Sequence, residues 1–222
     1  MIKPLRANFR INNSGVYIFL VILFSFIFSG CSSTLPTSKN QAPLIKSTSM
    51  TADRATQLLA MQHWKIEGKI AFITPQEKES AGISWRINEQ SGTQQLNLNS
   101  YLGINVLDLT SEQSQHTIKF DGKTYTGSNL PELIQSLTGL HLPVEALKFW
   151  LKSIPYNTAD QILFDSTSHL PTKLTSLYQG ELWQINYQQY KTIGAYPLAT
   201  KMMITKDDLL IKIAINKWQV LP

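Results

Sequence analysis

The chain of 222 residues has a formal net charge of +5, 43% hydrophobic residues and one cysteine. Three cations, Lys3, Arg6 and Arg10, lie in the first 30 residues, which hold no acid, so the rest of the chain carries only +2 and lacks the basic cluster typical of nucleic-acid binding. With one cysteine no internal disulfide forms, and the hydrophobic core must stabilise the fold.

The N-terminal 30 residues have the pattern of a secretory signal. The uncharged apolar run from Val16 to Phe28 follows the three cations and holds 13 residues, fewer than the about 20 that a membrane-spanning helix needs. The small residues Ser29 and Gly30 then precede Cys31, a junction that resembles the cleavage site of bacterial lipoproteins. We predict a signal peptide at 1–30 and, at Cys31, a diacylglyceryl group and an acyl chain such as palmitate. The alternatives are an ordinary signal peptide and an uncleaved anchor.

The residues after Cys31 indicate where the lipid holds the protein. Two or more acyl chains keep a protein stably on a bilayer. In the lipoprotein systems that the junction resembles, Asp after the cysteine favours the inner membrane, whereas this chain has Ser32. We expect an outer-membrane protein that faces the periplasm. Residues 31–50, with the lipidated cysteine and a stretch of Ser, Thr, Pro and Lys, form the predicted tether to a single domain at 51–222.

The domain opens with a short amphipathic helix that Thr51 caps, and its pattern then changes to the alternation of half-buried antiparallel strands. The dipeptide Asp121-Gly122 is typical of a two-residue hairpin turn. A meander of ten or eleven strands has to curl, which predicts a barrel or half-barrel in a mainly β, α+β fold. The predicted strands are 64–72, 80–88, 95–99, 104–110, 115–120, 123–126, 161–165, 173–178, 181–189, 198–205 and 209–218.

Two helices interrupt the meander. Ser128 or Asn129 caps the first, Pro131 lies near its first position and Gly139 follows its last turn. Pro143 begins the second, which has a wide apolar surface and ends at a proline. Together they are the natural cover for the inner face of a curled sheet.

The sequence holds no familiar catalytic signature, no nucleotide-binding loop and no metal-ligand spacing among its four histidines. We therefore predict a protein that is not an enzyme and that needs neither metal nor cofactor. Five tryptophans lie along the strands and the second helix, either as core packing alone or as the lining of an apolar cavity. Ligand binding without chemistry follows as a hypothesis.

Several motifs in order resemble the LolB family of outer-membrane lipoprotein receptors, over nearly the whole chain after the signal. They are Trp64-x-x-x-Gly68-Lys-Ile-Ala71, Ser84-Trp85, Leu102-Gly103, Leu137-Thr-Gly139, Leu142-Pro143, Leu147, Trp150-Leu151, Pro155, Trp183-x-x-x-Tyr187-x-x-Tyr190, Pro197 and Leu210-x-Lys212-Ile213 to Trp218. The resemblance implies an open antiparallel barrel with a helical lid over an apolar cavity for acyl chains. The family usually has Gly where this chain has Ser153, so we expect the lid helix to end in a different turn.

The resemblance also implies partners and a membrane-insertion loop. We expect a monomer that takes client lipoproteins from a periplasmic LolA-like carrier by their acyl chains and inserts them into outer-membrane lipid, with Tyr101, Leu102 and Gly103 as the insertion loop. The alternative for Leu102 is a side chain folded back on the core. For the whole protein, the alternatives are a carrier of another amphiphile, such as a glycolipid or fatty acid, and a structural assembly lipoprotein. Strand alternation and the helix stripes give the cavity candidates Ile66, Ile70, Phe72, Ile83, Trp85, Leu96, Leu98, Leu133, Leu137, Leu147, Trp150, Leu151, Trp183, Ile185 and Tyr187.

Overall fold

An antiparallel sheet dominates the computed structural model, which describes residues 49–221 and, in the stretch 49–52, the backbone alone. The described residues form three helices: α1 (Ser49–Leu59), α2 (Leu130–Thr138) and α3 (Val144–Leu151). Their eleven strands are β1 (His63–Ile73), β2 (Lys78–Asn88), β3 (Thr93–Asn99), β4 (Asn105–Glu112), β5 (Gln115–Phe120), β6 (Lys123–Gly127), β7 (Gln161–Phe164), β8 (Pro171–Tyr178), β9 (Glu181–Ile193), β10 (Tyr196–Lys206) and β11 (Leu209–Val220). The predicted mainly β fold with an open antiparallel sheet is confirmed, whereas the predicted signal peptide, Cys31 and the tether up to residue 48 lie outside the described residues.

The order of the strands explains why helices cover the sheet. The sheet reads β6-β5-β4-β3-β2-β1-β11-β10-β9-β8-β7, so the first and last strands pair at its centre while β6 and β7 form opposite edges. Ten strand spacings of about 4.8 Å separate those two edges along the sheet. The segment that joins β6 to β7 therefore has to cross one face of the sheet, and it carries α2 and α3.

The two faces of the sheet differ in burial. Ile66 on β1 pairs with Trp85 on β2, and both side chains are buried on what we name the covered face, where the helices pack. Lys65 and Lys69 alternate with them and lie on the opposite side, which we name the open face. Successive strand side chains point to opposite faces, which is why the sequence pattern alone predicted this division.

Gly68 has a steric role in the central strand pair. The register between β1 and β11 shifts after Glu67, which pairs with Lys217, while Gly68 pairs with Ile215. A Cβ atom on Gly68 would lie 2.1 Å from the backbone oxygen of Ala214. Only glycine fits at this bulge, because the backbone of β11 occupies the space of a side chain.

The predicted hairpin turn and the predicted caps of α2 lie where the sequence placed them. Asp121 and Gly122 have positive φ angles of 50° and 69°, as a tight hairpin of this type requires. The side chain of Asn129 accepts a hydrogen bond from the backbone N–H of Glu132 and caps α2, and Gly139 ends the helix with a φ of 71°. The prediction that Thr51 caps the first helix is wrong, because α1 begins at Ser49 and Thr51 lies within it.

Two hydrophobic clusters lie under the helices. The larger one contains all five tryptophans and joins α1 and α3 to strands β1, β2 and β8–β11. The smaller one joins α2 and the start of α3 to strands β4 and β5, with buried Leu107, Leu109, Ile118, Leu130, Ile134 and Val144. The two lid helices thus rest largely on different parts of the core.

Candidate functional site

The fifteen cavity candidates all lie on the covered face or on the helices over it. Ten are buried in the larger cluster: Ile66, Ile70, Ile83, Trp85, Leu147, Trp150, Leu151, Trp183, Ile185 and Tyr187. Five are partly buried: Phe72, Leu96, Leu98, Leu133 and Leu137. The structure brings them together on one side of the sheet, distributed over the two clusters, and their contact with acyl chains stays a prediction.

Partly buried side chains mark the seam between the two clusters. Leu96, Leu98 and Leu142 pack against both clusters, the first two from β3 and the third from the segment that joins α2 to α3. Half-buried apolar side chains lose less packing when neighbouring atoms separate than fully buried ones do. The seam formed by Leu96, Leu98 and Leu142 is therefore the part of the covered face where separating the apolar side chains requires the least free energy.

Arg54 of α1 fastens the C-terminal end of α3. Its guanidinium donates hydrogen bonds to Ser153 O at 3.1 Å, Lys152 O at 3.3 Å and Ser153 Oγ at 2.7 Å, and also to Pro197 O on β10 at 3.1 Å. Burial lowers the pKa of Arg54, which neighbouring Tyr190 and Tyr187 partly offset. Carbonyls at a helix end lack partners within the helix, and this side chain supplies them.

The turn after α3 is of the Schellman type. The N–H of Ser153 donates to Trp150 O and that of Ile154 donates to Phe149 O, while Ser153 has a φ of 53°. Glycine is the usual residue at this left-handed position. The expectation that Ser153 gives a different turn from glycine is therefore wrong, since the hydrogen bonds from Arg54 hold the serine in the glycine-type conformation.

Further polar contacts hold α3 to the sheet. Lys152, with 0% exposure, donates from Nζ to Glu89 Oε1 at 2.8 Å, and Trp64 Nε1 donates to the same oxygen at 3.0 Å. The hydroxyl of Tyr187 donates to Trp150 O at 2.9 Å, and burial raises the pKa of Tyr187 well above its ordinary value. The last turn of α3 is thus attached to the sheet on both sides of its centre, at Glu89 after β2 and at Tyr187 on β9.

The hydrogen bonds that α2 makes with side chains are local by comparison. Within the described chain they lie between residues 129 and 140: Asn129 accepts from Glu132 N, Ser136 Oγ donates to Leu133 O and Thr138 Oγ1 donates to Ile134 O. The contact of α2 with the sheet is therefore apolar. Apolar contact is non-directional and tolerates sliding or separation better than a hydrogen-bonded attachment does.

A cavity of about 200 Å³ opens where the lid meets the β8–β9 hairpin. Of the cavity candidates Trp183 lines it, and most of the other lining groups are polar; they are Asn129, Pro131, Glu132, Gln135, His141, Leu142, Pro143, Tyr178, Gln179 and Glu181. At about 30 Å³ for each water-sized group, this space holds roughly seven such groups. Most of the cavity candidates are themselves buried in the larger cluster, so in the described state they pack against one another and against the core.

The loop between β3 and β4 is strongly exposed and apolar. Tyr101 is 96% exposed, Leu102 is 81% exposed and Ile104 is 65% exposed. The loop is closed by a hydrogen bond from Gly103 N to Ser100 O, and Gly103 has a φ of 77°. Leu102 therefore does not fold back on the core, and the loop presents an apolar tip to its surroundings.

The apolar residues of the covered face can be read from the sequence, whereas the attachments of α3 cannot. Arg54 and Ser153 are 99 positions apart, and no local pattern links them. Ile211, Ile213 and Ile215 on β11 belong to the larger cluster but are not among the candidates, and their alternation in the sequence is the signal that could have added them. Among the described residues no helix is long and apolar enough to cross a bilayer, and no group of three potential metal ligands occurs.

Comparisons with known proteins match most of the chain to proteins of one family. A family model described as "Outer membrane lipoprotein LolB" matches residues 62–218. "Outer-membrane lipoprotein LolB" of Psychromonas ingrahamii is 35% identical over 89% of this chain and 93% of its own length. The protein of that name in Aeromonas salmonicida is 31% identical over 86% of this chain and 91% of its own. A crystal structure of a DUF1329 family protein from Desulfovibrio piger has the same fold, with a TM-score of 0.52 and 6% identity over 76% of this chain and 90% of that one.

Proposed function

The chain belongs to the LolB family of outer-membrane lipoproteins, and we propose on this premise how it receives a lipoprotein and releases it into the membrane. Its role is that of a lipoprotein receptor in localisation to the outer membrane. As in the family, it interacts with a LolA-like carrier and with lipoproteins. The single observation that carries the membrane step of the mechanism is the exposed apolar loop at Tyr101, Leu102 and Ile104.

The first element of the proposal is the anchor. Cys31 carries the lipid, and residues 31–50 set how far the domain reaches from the membrane. A tether of this kind raises the effective concentration of the domain at the surface. The protein is monomeric, and replacing the anchor preserves uptake from the carrier while it weakens delivery.

The second element is how acyl chains enter. Because the cavity has room for only about seven water-sized groups, a longer acyl chain requires that side chains separate. Among the described contacts, α3 is attached by Arg54, Lys152 and Tyr187, whereas α2 rests on apolar contacts. We propose that α2 moves away from the sheet while α3 stays, so that chains enter along the seam of Leu96 and Leu98.

The direction of transfer follows from apolar burial alone. Each methylene group removed from water contributes about 0.8 kcal/mol, so chains move from the carrier to this protein if its seam buries more of their surface. The bilayer buries the whole chain and is the final acceptor. No covalent step, nucleotide or cofactor enters this scheme.

The third element is the loop. Burying Leu102 in lipid contributes about 1.5–3 kcal/mol, which biases docking without anchoring the protein. Tyr101 adds an amphipathic side chain suited to the membrane interface. During release the loop holds the opening between α2 and the sheet close to the bilayer.

The experiment follows a lipoprotein from a loaded carrier to the lipidated protein and then into vesicles. We expect Leu102→Glu to leave uptake from the carrier unchanged and to lower insertion by about tenfold or more, as the loss of at least 1.5 kcal/mol implies. Leu59→Glu is the matched control, since Leu59 is an exposed leucine of α1. Equal loss of uptake and insertion would refute the division of labour, and cargo that stays on the carrier would refute the receptor mechanism.

A second measurement tests the moving helix. Hydrogen exchange is expected to be faster in α2 than in α3, and an acyl-chain probe is expected to change exchange in α2 first. If both helices exchange as one unit, α2 does not open alone. Saturable binding of a glycolipid or fatty acid in place of lipoprotein acyl chains would instead favour a carrier of another amphiphile.

A further inference from the structure

The open face of the four central strands carries a concentration of positive charge. The face is defined by the strand registers, in which Lys65 pairs with Arg86, Lys69 and Lys201 both pair with Ala214, and Lys212 pairs with Ala71. Residues directly opposite each other in neighbouring strands share a face. Seven cations of β2, β1, β11 and β10 therefore lie on it: Lys65, Lys69, Lys78, Arg86, Lys201, Lys212 and Lys217.

Within the four strands acidic residues balance only a small part of this charge, and the turns at one end of these strands add Glu77, Asp207 and Asp208. Within the described chain those four strands contain two acids, Glu67 and Glu79. Glu67 lies on the open face beside Lys65 and Lys217, whereas Glu79 pairs with Phe72 and so belongs to the covered face. The described residues 53–221 hold as many acids as lysines and arginines, so the excess on this face results from placement and not from composition.

The basic face adjoins the exposed loop. Asn99, the last residue of β3, begins a series of residues that lie directly opposite one another in neighbouring strands. The series runs through Gly82 on β2, Lys69 on β1 and Ala214 on β11 to Lys201 on β10. Two strand spacings of about 4.8 Å separate Asn99 from Lys69, and four separate it from Lys201. Loop and lysines thus belong to one continuous surface about 20 Å wide.

The chemistry of this surface favours lipid headgroups over a protein partner. We propose that the open face of β10-β11-β1-β2 lies against the anionic phospholipid headgroups of the membrane that the loop enters. Six of its seven cations are lysines, which are depleted in protein interfaces but act as hydrated point charges toward an anionic surface. Val106, at the start of β4 directly after the loop, is also exposed and extends its apolar surface.

This inference rests on the proposed insertion at the membrane and adds an orientation to it. With the open face on the bilayer, the covered face with α2 and α3 points away from it, toward the compartment from which a carrier arrives. The loop then lies at the rim where the covered face meets the membrane. Cargo would travel around that rim by a path of a few strand spacings.

The experiment uses the lipidated protein in vesicles and measures how fast an amine reagent labels each lysine. Vesicles of phosphatidylcholine alone are compared with vesicles that also contain phosphatidylglycerol. We expect labelling of Lys69, Lys201 and Lys212 to fall about fivefold in the anionic vesicles, the factor for one lysine near an anionic surface, and to recover in high salt. Lys148 on α3 and Lys191, which pairs with buried Leu198 on the covered side, are expected to keep their labelling rates.

Two charge-matched variants separate a local surface from net charge. Lys69→Gln/Lys201→Gln/Lys212→Gln and Lys123→Gln/Lys148→Gln/Lys191→Gln each remove three cations. In the unchanged protein, anionic lipid is expected to slow the labelling of Lys65 and Lys217 as well. We expect only the first variant to lose this protection, and circular dichroism checks that both variants are folded.

Three outcomes would overturn the inference. They are equal labelling in both kinds of vesicle, equal protection of Lys148, and protection that appears only when a carrier protein is added, which would assign the face to an acidic protein. Cargo transfer is measured on the same preparations. If transfer proceeds without protection of the lysines, the proposed orientation is wrong and the proposed function stands. If transfer fails while the lysines are protected, the orientation stands and the proposed function is wrong.

Discussion

The buried ion pair between Lys152 and Glu89 allows a quantitative test of how α3 is attached. The Lys152 side chain is 1% exposed and Glu89 is 25% exposed, with 2.8 Å between Nζ and Oε1. Glu89→Gln keeps the shape and the oxygen that accepts from Trp64 but removes the negative charge. Breaking a buried pair in this way costs about 3–5 kcal/mol, and the partial exposure of Glu89 places the expected value near about 3 kcal/mol. Since domains of this size are stable by about 5–15 kcal/mol, the variant still folds.

The double variant isolates the interaction from other effects. Replacing Lys152 by Met as well removes the buried cation, and a buried pair replaced by neutral groups of similar volume is often neutral in stability. We expect Glu89→Gln/Lys152→Met to lie within about 1 kcal/mol of the original protein. Lys152→Met alone completes the cycle, and if it is neutral or destabilising the coupling energy is about 2 kcal/mol or more. Urea unfolding with a constant m value measures all three variants. A coupling energy below about 0.5 kcal/mol would refute the view that this pair fastens α3.

The other predictions concern a close backbone approach, a helix end and a buried phenol. Gly68→Ala is expected to destabilise the fold by about 3 kcal/mol or more, because its Cβ would meet a backbone oxygen at 2.1 Å, whereas Gly82→Ala, with its nearest atom at 3.7 Å, changes the unfolding free energy little. Ser153→Gly is expected to leave the free energy of unfolding nearly unchanged, because glycine adopts the left-handed conformation without strain and this offsets the lost hydrogen bond to Arg54. Ser153→Ala loses the same hydrogen bond but keeps the strain, so it is expected to lower the free energy of unfolding by about 1–2 kcal/mol. Similar costs for the two variants would contradict this explanation. Burial raises the pKa of Tyr190 to about 12. The unfolded chain loses this proton near pH 10, so Tyr190 is expected to contribute a fall in the free energy of unfolding of about 1.4 kcal/mol per pH unit between about pH 10 and 12, in addition to the contribution of buried Tyr187. In alkaline unfolding curves Tyr190→Phe should make the fall shallower by that amount.

The division between predictable and unpredictable features has a physical basis in the distance over which each interaction acts. Asp121-Gly122 and Asn129 act on neighbours within three residues, so their turn and cap could be read directly. The alternation around Trp64 and Ile66 fixed which side chains share a face, because the strand period is two. Leu102 was placed in the loop by resemblance, and its exposure became known only from the fold.

The sequence by itself determined the alternating strands, the two lid helices and the residues able to form an apolar layer, since these depend on local geometry and on which side chains avoid water. The tertiary structure decided that β1 and β11 meet at the centre, that Arg54 and Glu89 fasten α3 while α2 rests on apolar contacts, and that seven cations share the open face. These features join distant residues, such as Trp64 and Val220, which pair across β1 and β11. No local pattern specifies such pairs, because they arise only when strand order and register bring distant parts of the chain into contact.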